Sequence, residues 1–292
     1  RIRLTDLTKY YCHPEDLPDE QGKVICMGTF DGCHIGHRAL LDHVDYAVSF
    51  MPAPKAFFSV TEKVLLLPNE KRCLYPNFIF LRFDEDLASL TPEEFIHMIL
   101  ETLKPARIVV GWDFHFGFQQ TGTVHTLQKL SEQCSFHLDV IAPVKLGRTI
   151  VKSTRIRQLI EAGKVERANA LLGYEYFYVA RVIHGKGIGR SLGFPTLNLE
   201  INAHKLLPLH GVYAGTVEVE GECHKAAISL ALRESGRLEL EAFLLDYSGD
   251  LYGKTVKLSF CASVRRQKKF SGLDYLKTQI AKDVERVKTL LQ

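Results

Sequence analysis

The stretch MGTFDGCHIGH, Met27 to His37, sets glycines, an aspartate and two histidines directly after the apolar run Val24-Ile25-Cys26. Gly28 and Gly32 carry no Cβ, so the backbone there can turn tightly and approach a ligand, and Gly36 does the same between the imidazoles. A helix beginning near Ile35 to His37 turns its free N–H groups and positive end toward the loop, an arrangement suited to phosphate oxygens. His34 and His37, at i and i+3, then project from one side of that turn toward the same anion. Imidazoles so placed can donate to phosphate oxygens and take up the charge that develops as a pyrophosphate leaves. Such a site would suit nucleotidyl transfer by positioning and electrostatics, with no covalent enzyme intermediate required; the other reading of two histidines at a helix start is a pair of surface residues. A second stretch, Ser153-Thr154-Arg155-Ile156-Arg157, sets hydroxyls and backbone N–H groups at a helix start with arginine one turn in. That pattern can bind phosphates, and it is also an ordinary helix cap.

The elements that must position these residues alternate short apolar runs with helical periodicity in the first half, as parallel strands joined by crossover helices do. Lys23 to Met27 reads as a buried strand, and His37 to Phe50 as a helix with Leu40, Leu41, Val44, Ala47 and Val48 on one stripe. Phe78 to Arg82 and Arg107 to Gly111 read as further strands. Between them Thr91-Pro92-Glu93-Glu94 is a capping box that opens a helix running to Leu103. Helices from Ser153 and from Val165 to Leu172 should stop at Gly163 and Gly173. After Gly173 the pattern changes to strand candidates at Tyr176 to Ile183, Val212 to Val219, Leu238 to Leu245 and Thr255 to Ala262, which is antiparallel, barrel-like material. Ser271 is expected to cap a last helix with Leu273, Leu276, Ile280, Val284, Val287 and Leu291 on its apolar side.

Bulk properties narrow the function classes. The 292 residues are 46% hydrophobic, enough for one large or two medium domains. The formal charge of +3, from 37 basic and 34 acidic residues, is too mild for binding nucleic acid by counterion release. Seven cysteines without a C-x-x-C pair suggest reduced thiols in the cytoplasm. No apolar run is long enough for a membrane span, and the first twenty residues do not read as an export signal.

The H-x-G-H turn following strand and F-D-G resembles the signature of the adenylyl- and cytidylyltransferase superfamily, and G-x-F-D-G-x-H-x-G-H more narrowly resembles the prokaryotic bifunctional riboflavin kinase/FMN adenylyltransferases. Val110-Gly111-Trp112-Asp113-Phe114-His115-Phe116-Gly117 is similar to that family's V-G-x-D-F-x-F-G, and Ser153 to Arg157 to its S-S-T-x-I-R. The fold so implied is α/β: a doubly wound, Rossmann-like nucleotidyltransferase domain over 1–173, then an antiparallel β-barrel riboflavin kinase domain with a terminal helix over 174–292. The resemblance assigns ATP contacts in the first domain to Gly28, Phe30, Asp31, Gly32, Gly36, Asp113, Ser153, Thr154 and Arg157, with His34 and His37 catalytic.

In the second half, Gly185, Gly187, Gly189 and Gly193 precede Phe194-Pro195-Thr196-Leu197-Asn198. A bare G-x-G carries little here, because no Rossmann strand-to-helix context surrounds it. Followed by G-F-P-T-x-N, it resembles the riboflavin kinase glycine loop over ATP, with Thr196 and Asn198 as Mg²⁺ ligands on one side of an extended segment. The family register sets Glu241 on the catalytic glutamate. Glu239 lies on the same strand face, so alternation alone does not choose between them. Tyr252, Arg265 and Phe270 resemble residues that could contact flavin, and the basic cluster around Arg265 could equally be a solvated face. The implied activities are phosphorylation of riboflavin to FMN and adenylyl transfer from ATP to FMN, with no nucleic-acid or membrane partner; residue types alone carry no oligomeric state.

Several residues depart from the pattern. Phe57-Phe58-Ser59-Val60-Thr61-Glu62 stands where the family carries F-x-P-H-P, and Lys152 replaces the first serine of S-S-T. The N-I-G-x-x-P-T-F segment is absent around Ala227 to Leu232, and Gln267 stands for the acid of R-x-E. A single-activity adenylyltransferase with a degenerate kinase domain, or a flavin- or nucleotide-binding protein without catalysis, are the alternatives.

Overall fold

The computed structural model describes residues 8–13, 15, 17–18, 20–59, 61–185, 193–247 and 249–292. The chain divides into two compact units, Arg1–Lys152 and Ser153–Gln292.

The first unit is an α/β sandwich. Its elements run β1 (Val24–Met27), α1 (Ile35–Leu41), β2 (Tyr46–Met51), α2 (Pro54–Phe58), α3 (Pro68–Leu74), β3 (Phe78–Arg82), α4 (Glu85–Ala88), α5 (Pro92–Leu103) and β4 (Arg107–Gly111). A short hairpin, β5 (His115–Phe116) and β6 (Gly122–Thr123), leads to α6 (Val124–Cys134) and β7 (His137–Ile141), and a second, β8 (Lys145–Leu146) and β9 (Thr149–Ile150), follows. The main sheet has the order β3-β2-β1-β4-β7, and every neighbouring pair is parallel. Helices cover both faces of such a sheet, which is why its strands read as continuous apolar runs. Ile25, Val48, Ile79, Ile108 and Val110 from the strands pack with Phe95, Ile96 and Ile99 of α5 in one core. The expected capping box is present: Thr91 accepts from Glu94 N–H, and Glu94 accepts from Thr91 N–H.

The expected helix from His37 to Phe50 is corrected. It ends at Leu41, and Tyr46–Met51 is a strand with Ala47 and Val48 opposite Cys26 and Met27 of β1. Positions 40, 41, 44, 47 and 48 fit a helical stripe by coincidence of spacing. A place in the sheet buries both Ala47 and Val48 between covered faces, and that tertiary gain outweighs local period. The Asp45 carboxylate fixes the crossing by accepting the Val24 N–H at 2.7 Å.

The second unit opens with α7 (Ser153–Glu161) and α8 (Val165–Leu172). Gly163 (φ +71°) and Gly173 (φ +80°) follow them in the left-handed region, as expected of C-terminal caps. Six strands, β10 (Tyr176–Ile183), β11 (Leu197–Leu199), β12 (Gly211–Val219), β13 (Glu222–Leu232), β14 (Leu238–Leu244) and β15 (Thr255–Arg266), close an antiparallel barrel in the order β10-β11-β14-β13-β12-β15. Closure requires a sharp bend, and register shifts between β12 and β15 supply it. One shift falls at Gly215, where a Cβ would lie 2.0 Å from the Ser259 carbonyl oxygen. The helix α9 (Leu273–Leu290) packs Val284 and Val287 inward. Its N-cap is Gly272, without a side-chain hydrogen bond, so the expected Ser271 cap is corrected; Leu273 lies on the apolar stripe with Leu276 and Ile280, at a cavity, and is 63% exposed. The helix start is set by the chain leaving the barrel; no hydroxyl seals it.

Candidate active sites

In the first unit β1 lies between β2 and β4, with Cys26 opposite both Ala47 and Val109. Chain order runs outward in both directions from the β1–β4 pair, and doubly wound sheets bind ligands in the crevice beyond the strand ends at that point. The H-x-G-H turn leaves β1 there, and Gly111-Trp112-Asp113 leaves β4 beside it. The Asp113 carboxylate acts electrostatically on His34 across this gap.

His34 is the N-cap of α1, and its Nδ1 accepts the His37 N–H at 3.3 Å. A neutral ring accepting at Nδ1 keeps its proton on Nε2, which leaves a donor on the opposite edge. The two imidazoles stack with centroids 3.6 Å apart and planes at 13°. Phe30 meets His37 edge-on at 5.4 Å and is itself buried, so what Phe30 offers a ligand is its backbone. A Cβ on Gly36 would lie 3.0 Å from the His34 ring. A side chain between the histidines would press on the stacked ring. Burial pushes the His34 pKa down to about 4, against the pull of Asp31 and Asp113. Burial, then the neighbouring His34 and Lys71, holds His37 well below the usual histidine range. Both rings are therefore neutral at pH 7.

The turn itself is strained. Phe30 (φ +45°) and Cys33 (φ +39°) sit in the left-handed region around Gly32 (φ +86°), at about 1–3 kcal/mol for each residue bearing a Cβ. Two tethers hold it. The Asp31 carboxylate accepts the Leu65 N–H at 2.8 Å. From α3, the buried Lys71 ammonium donates to the Thr29 carbonyl at 2.6 Å and the Ser49 hydroxyl at 3.1 Å. Among the described residues no carboxylate contacts this ammonium, and burial lowers its pKa.

Ser153, Thr154 and Arg157 form the first turn of α7 in the second unit, with Ile156 between them buried. In the barrel, Asn198 of β11 stands directly opposite Glu241 of β14, and Ser229 of β13 flanks Glu241 on its other side. Residues opposite in antiparallel strands share a face with Cβ atoms about 5 Å apart. Thr196, Asn198 and Glu241 line one cavity of ≈ 850 Å³ together with Gly185, Arg233 and Phe270. A Cβ on Gly185 would fall 2.0 Å from Asn198 Nδ2, so the chain passes over that amide only as glycine. Gly193 takes φ +89°; Gly187 and Gly189 lie outside the described residues.

Glu239 and Glu241 share the cavity face and the same cation, which they meet at different distances. Arg233 Nε donates to Glu239 at 2.5 Å, while its Nη2 stays 4.0 Å from Glu241. Burial raises the Glu241 pKa, Arg233 opposes this, and Glu239 adds to it. The ion pair neutralises Glu239 and leaves Glu241 as the carboxylate without a hydrogen bond among the described residues. Arg265 lines the same cavity; its guanidinium grips Asp283 of α9 with Nε and Nη2 at 2.7–3.0 Å and lies over Phe270 at 5.7 Å. Tyr252 stacks on His184 with ring centroids 3.9 Å apart.

A family model described as FAD synthetase matches residues 16–155, and one described as Riboflavin kinase matches 172–291. A bifunctional riboflavin kinase/FMN adenylyltransferase from Pseudomonas fluorescens is 31% identical over 294 residues, covering 94% of each chain. The chain belongs to the bifunctional riboflavin kinase/FMN adenylyltransferase family. Proteins of the same name from Listeria monocytogenes (30% identical; 94% of this chain, 95% of that one) and Escherichia coli K12 (32%; 90% and 91%) agree. The solved structure of a protein described as a macrolide-efflux protein from Streptococcus pneumoniae superposes with a TM-score of 0.82 at 28% identity, covering 94% of this chain and 96% of that one. That description belongs to the neighbour; among the described residues here, no helix is long and apolar enough to cross a membrane.

As a member of this family the chain explains one of its own departures. Gln267 accepts the Leu232 N–H at 3.0 Å and donates to the Leu232 carbonyl at 2.9 Å, closing the end of β13 against β15. A glutamate could accept there but not donate. Lys71 and Arg233 escaped the sequence reading because a single cation on a helix or after a strand looks like solvated surface. Only a partner shows otherwise.

Proposed function

We propose that the barrel makes FMN from riboflavin and ATP, and that the parallel-sheet unit makes FAD from FMN and a second ATP, as the names of the relatives state for them. Residues 1–173 are taken as the adenylyltransferase module and 174–292 as the kinase module. In the barrel, Glu241 accepts the proton of the ribityl hydroxyl while its oxygen bonds to the γ-phosphorus and ADP leaves. The raised pKa of Glu241 supports this role. The Thr196 hydroxyl and Asn198 amide oxygen are hard donors on one face and fit a Mg²⁺ ion that retains several waters. Bound there, Mg²⁺ would neutralise phosphate charge. Gly185, Gly187, Gly189 and Gly193 are assigned to ATP, and Tyr252, Arg265 and Phe270 to the flavin side.

In the first module a phosphate oxygen of FMN bonds to the α-phosphorus of ATP and the bond to pyrophosphate breaks. His34 donates from Nε2, and His37, stacked on it, holds the same anion; Asp113 and the Gly28 to Gly36 backbone shape the pocket. The resemblance assigns Ser153, Thr154 and Arg157 to ATP phosphates as well. ATP as co-substrate and a reduced thiol set support the cytoplasm as the compartment.

The observation that carries the two-step reading is the pairing of Asn198 with Glu241 in the cavity wall, on a chain that also retains the stacked histidines. Incubation with riboflavin and MgATP, followed by chromatography, is expected to yield FMN and then FAD. His34→Ala should abolish FAD and spare FMN, whereas Glu241→Gln should stop FMN formation and leave FAD formation from supplied FMN intact. FAD formation from FMN with no phosphorylation of riboflavin would select the single-activity alternative, and no effect of either variant would refute both assignments.

A further inference from the structure

Both imidazoles at the nucleotidyltransferase turn are neutral, and the buried Lys71 spends its ammonium inward on Thr29 and Ser49. A triphosphate arriving there carries several negative charges and needs a cation that can face it. The chain leading into Lys152 lies against the turn, since the Val151 carbonyl oxygen is 3.6 Å from where a Cβ on Gly36 would be. Lys152 is exposed and has no carboxylate partner among the described residues. Its ammonium rests over the indole of Trp112 at 5.2 Å from the ring centroid. Trp112 is 45% exposed and directly follows Gly111 at the end of β4.

The backbones on both sides of this pair are pinned. Trp112 N–H donates to Ile141 at the end of β7, and Val151 N–H donates to Val144, each at 3.0 Å. The backbone beneath the indole is thus held to β7, and the long lysine stem can swing from it. A cation on an exposed aromatic face is weakly held, so it is readily transferred to a phosphate oxygen, which binds it more strongly.

We propose that Lys152 and Trp112 form a phosphate-responsive pair beside the stacked histidines, in which Lys152 leaves the indole to grip the pyrophosphate portion of a nucleoside triphosphate. Lys152, a departure from the family's serine, is then a substrate-positioning residue of this chain. The inference rests on the adenylyl-transfer reading of the same site.

Trp112 is the single tryptophan of the chain, so its emission reports this site and no other. Titrating the full chain with inorganic pyrophosphate is expected to change that emission saturably. Lys152→Met should need about tenfold more pyrophosphate and raise the KM for ATP in FAD formation by a similar factor, with a smaller change in kcat, and Lys152→Arg should restore both. A parent-like kcat for FAD formation and recovery in Lys152→Arg check that the first unit still folds. Normal FAD formation, with Lys152→Met titrating like the parent while His34→Ala weakens pyrophosphate binding, would overturn this pair alone. Absence of FAD formation in the parent chain, with His34→Ala also silent toward pyrophosphate, would instead remove the reading beneath it.

Discussion

Glu241 shows how one neighbour decides the work of a carboxylate. Arg233 is committed to Glu239 but still lowers the proton affinity of Glu241, whereas the Glu239 charge raises it. In its proposed role Glu241 must be deprotonated, so FMN formation should fall as pH drops through its raised pKa. Arg233→Met removes the opposing cation and is expected to move that acid limb of kcat/KM to higher pH. Glu239→Gln removes the like charge and should move it lower. A structural role for Arg233 alone would change rates without shifting the limb. His34 gives a stability counterpart. Its pKa is about 4 folded against 6.5 for an ordinary imidazole, so the unfolded chain takes up a proton first as pH falls. The stabilisation is full above pH 6.5 and is lost progressively toward pH 4, amounting to roughly 3 kcal/mol. Urea unfolding of His34→Gln between pH 7 and 4 should accordingly show a flatter dependence than the parent chain.

At the scale of elements, sites depend on backbone passing where side chains would collide. Gly185→Ala drives a methyl into the Asn198 amide, and FMN formation should fall between about ten- and a hundredfold, with FAD formation from supplied FMN unchanged. Lys71→Met, which keeps the stem but frees the Thr29 carbonyl, should lower FAD formation about tenfold and leave FMN formation alone. Each is checked by assaying the two products separately. The turn after β1 was legible because Gly32, with φ +86°, takes a backbone conformation that glycine adopts most readily, and because two histidines three residues apart at a helix start meet each other. The capping box at Thr91 was legible because its two hydrogen bonds are local. Strand β13 was not. Its inward Ala226, Ile228 and Leu230 alternate with Ala227, Ser229 and Ala231, so small residues on both faces blur the period of two. Strand β2 was misread because its apolar spacing also suits a helix, and only pairing with β1 decides between the two.

For the whole molecule, the order of motifs along the chain was readable from sequence, while what sets Glu241 apart from Glu239 is a partner, Arg233, contributed from the neighbourhood of another strand. The helices α7 and α8 follow the same lesson. Their caps were legible, yet their grouping with the barrel comes from long-range bonds such as Asn169 Nδ2 to the Phe260 carbonyl at 2.9 Å and Glu166 to the Ser263 N–H at 2.8 Å. The barrel carries one more implication. Because β15 returns to pair with β10 along six residues, the wall where these two strands meet offers no row of unpaired amides to a passing chain. Molecules of this enzyme crowded together cannot zip through that wall as fibril-forming sheets do, and any association there must be made by side chains.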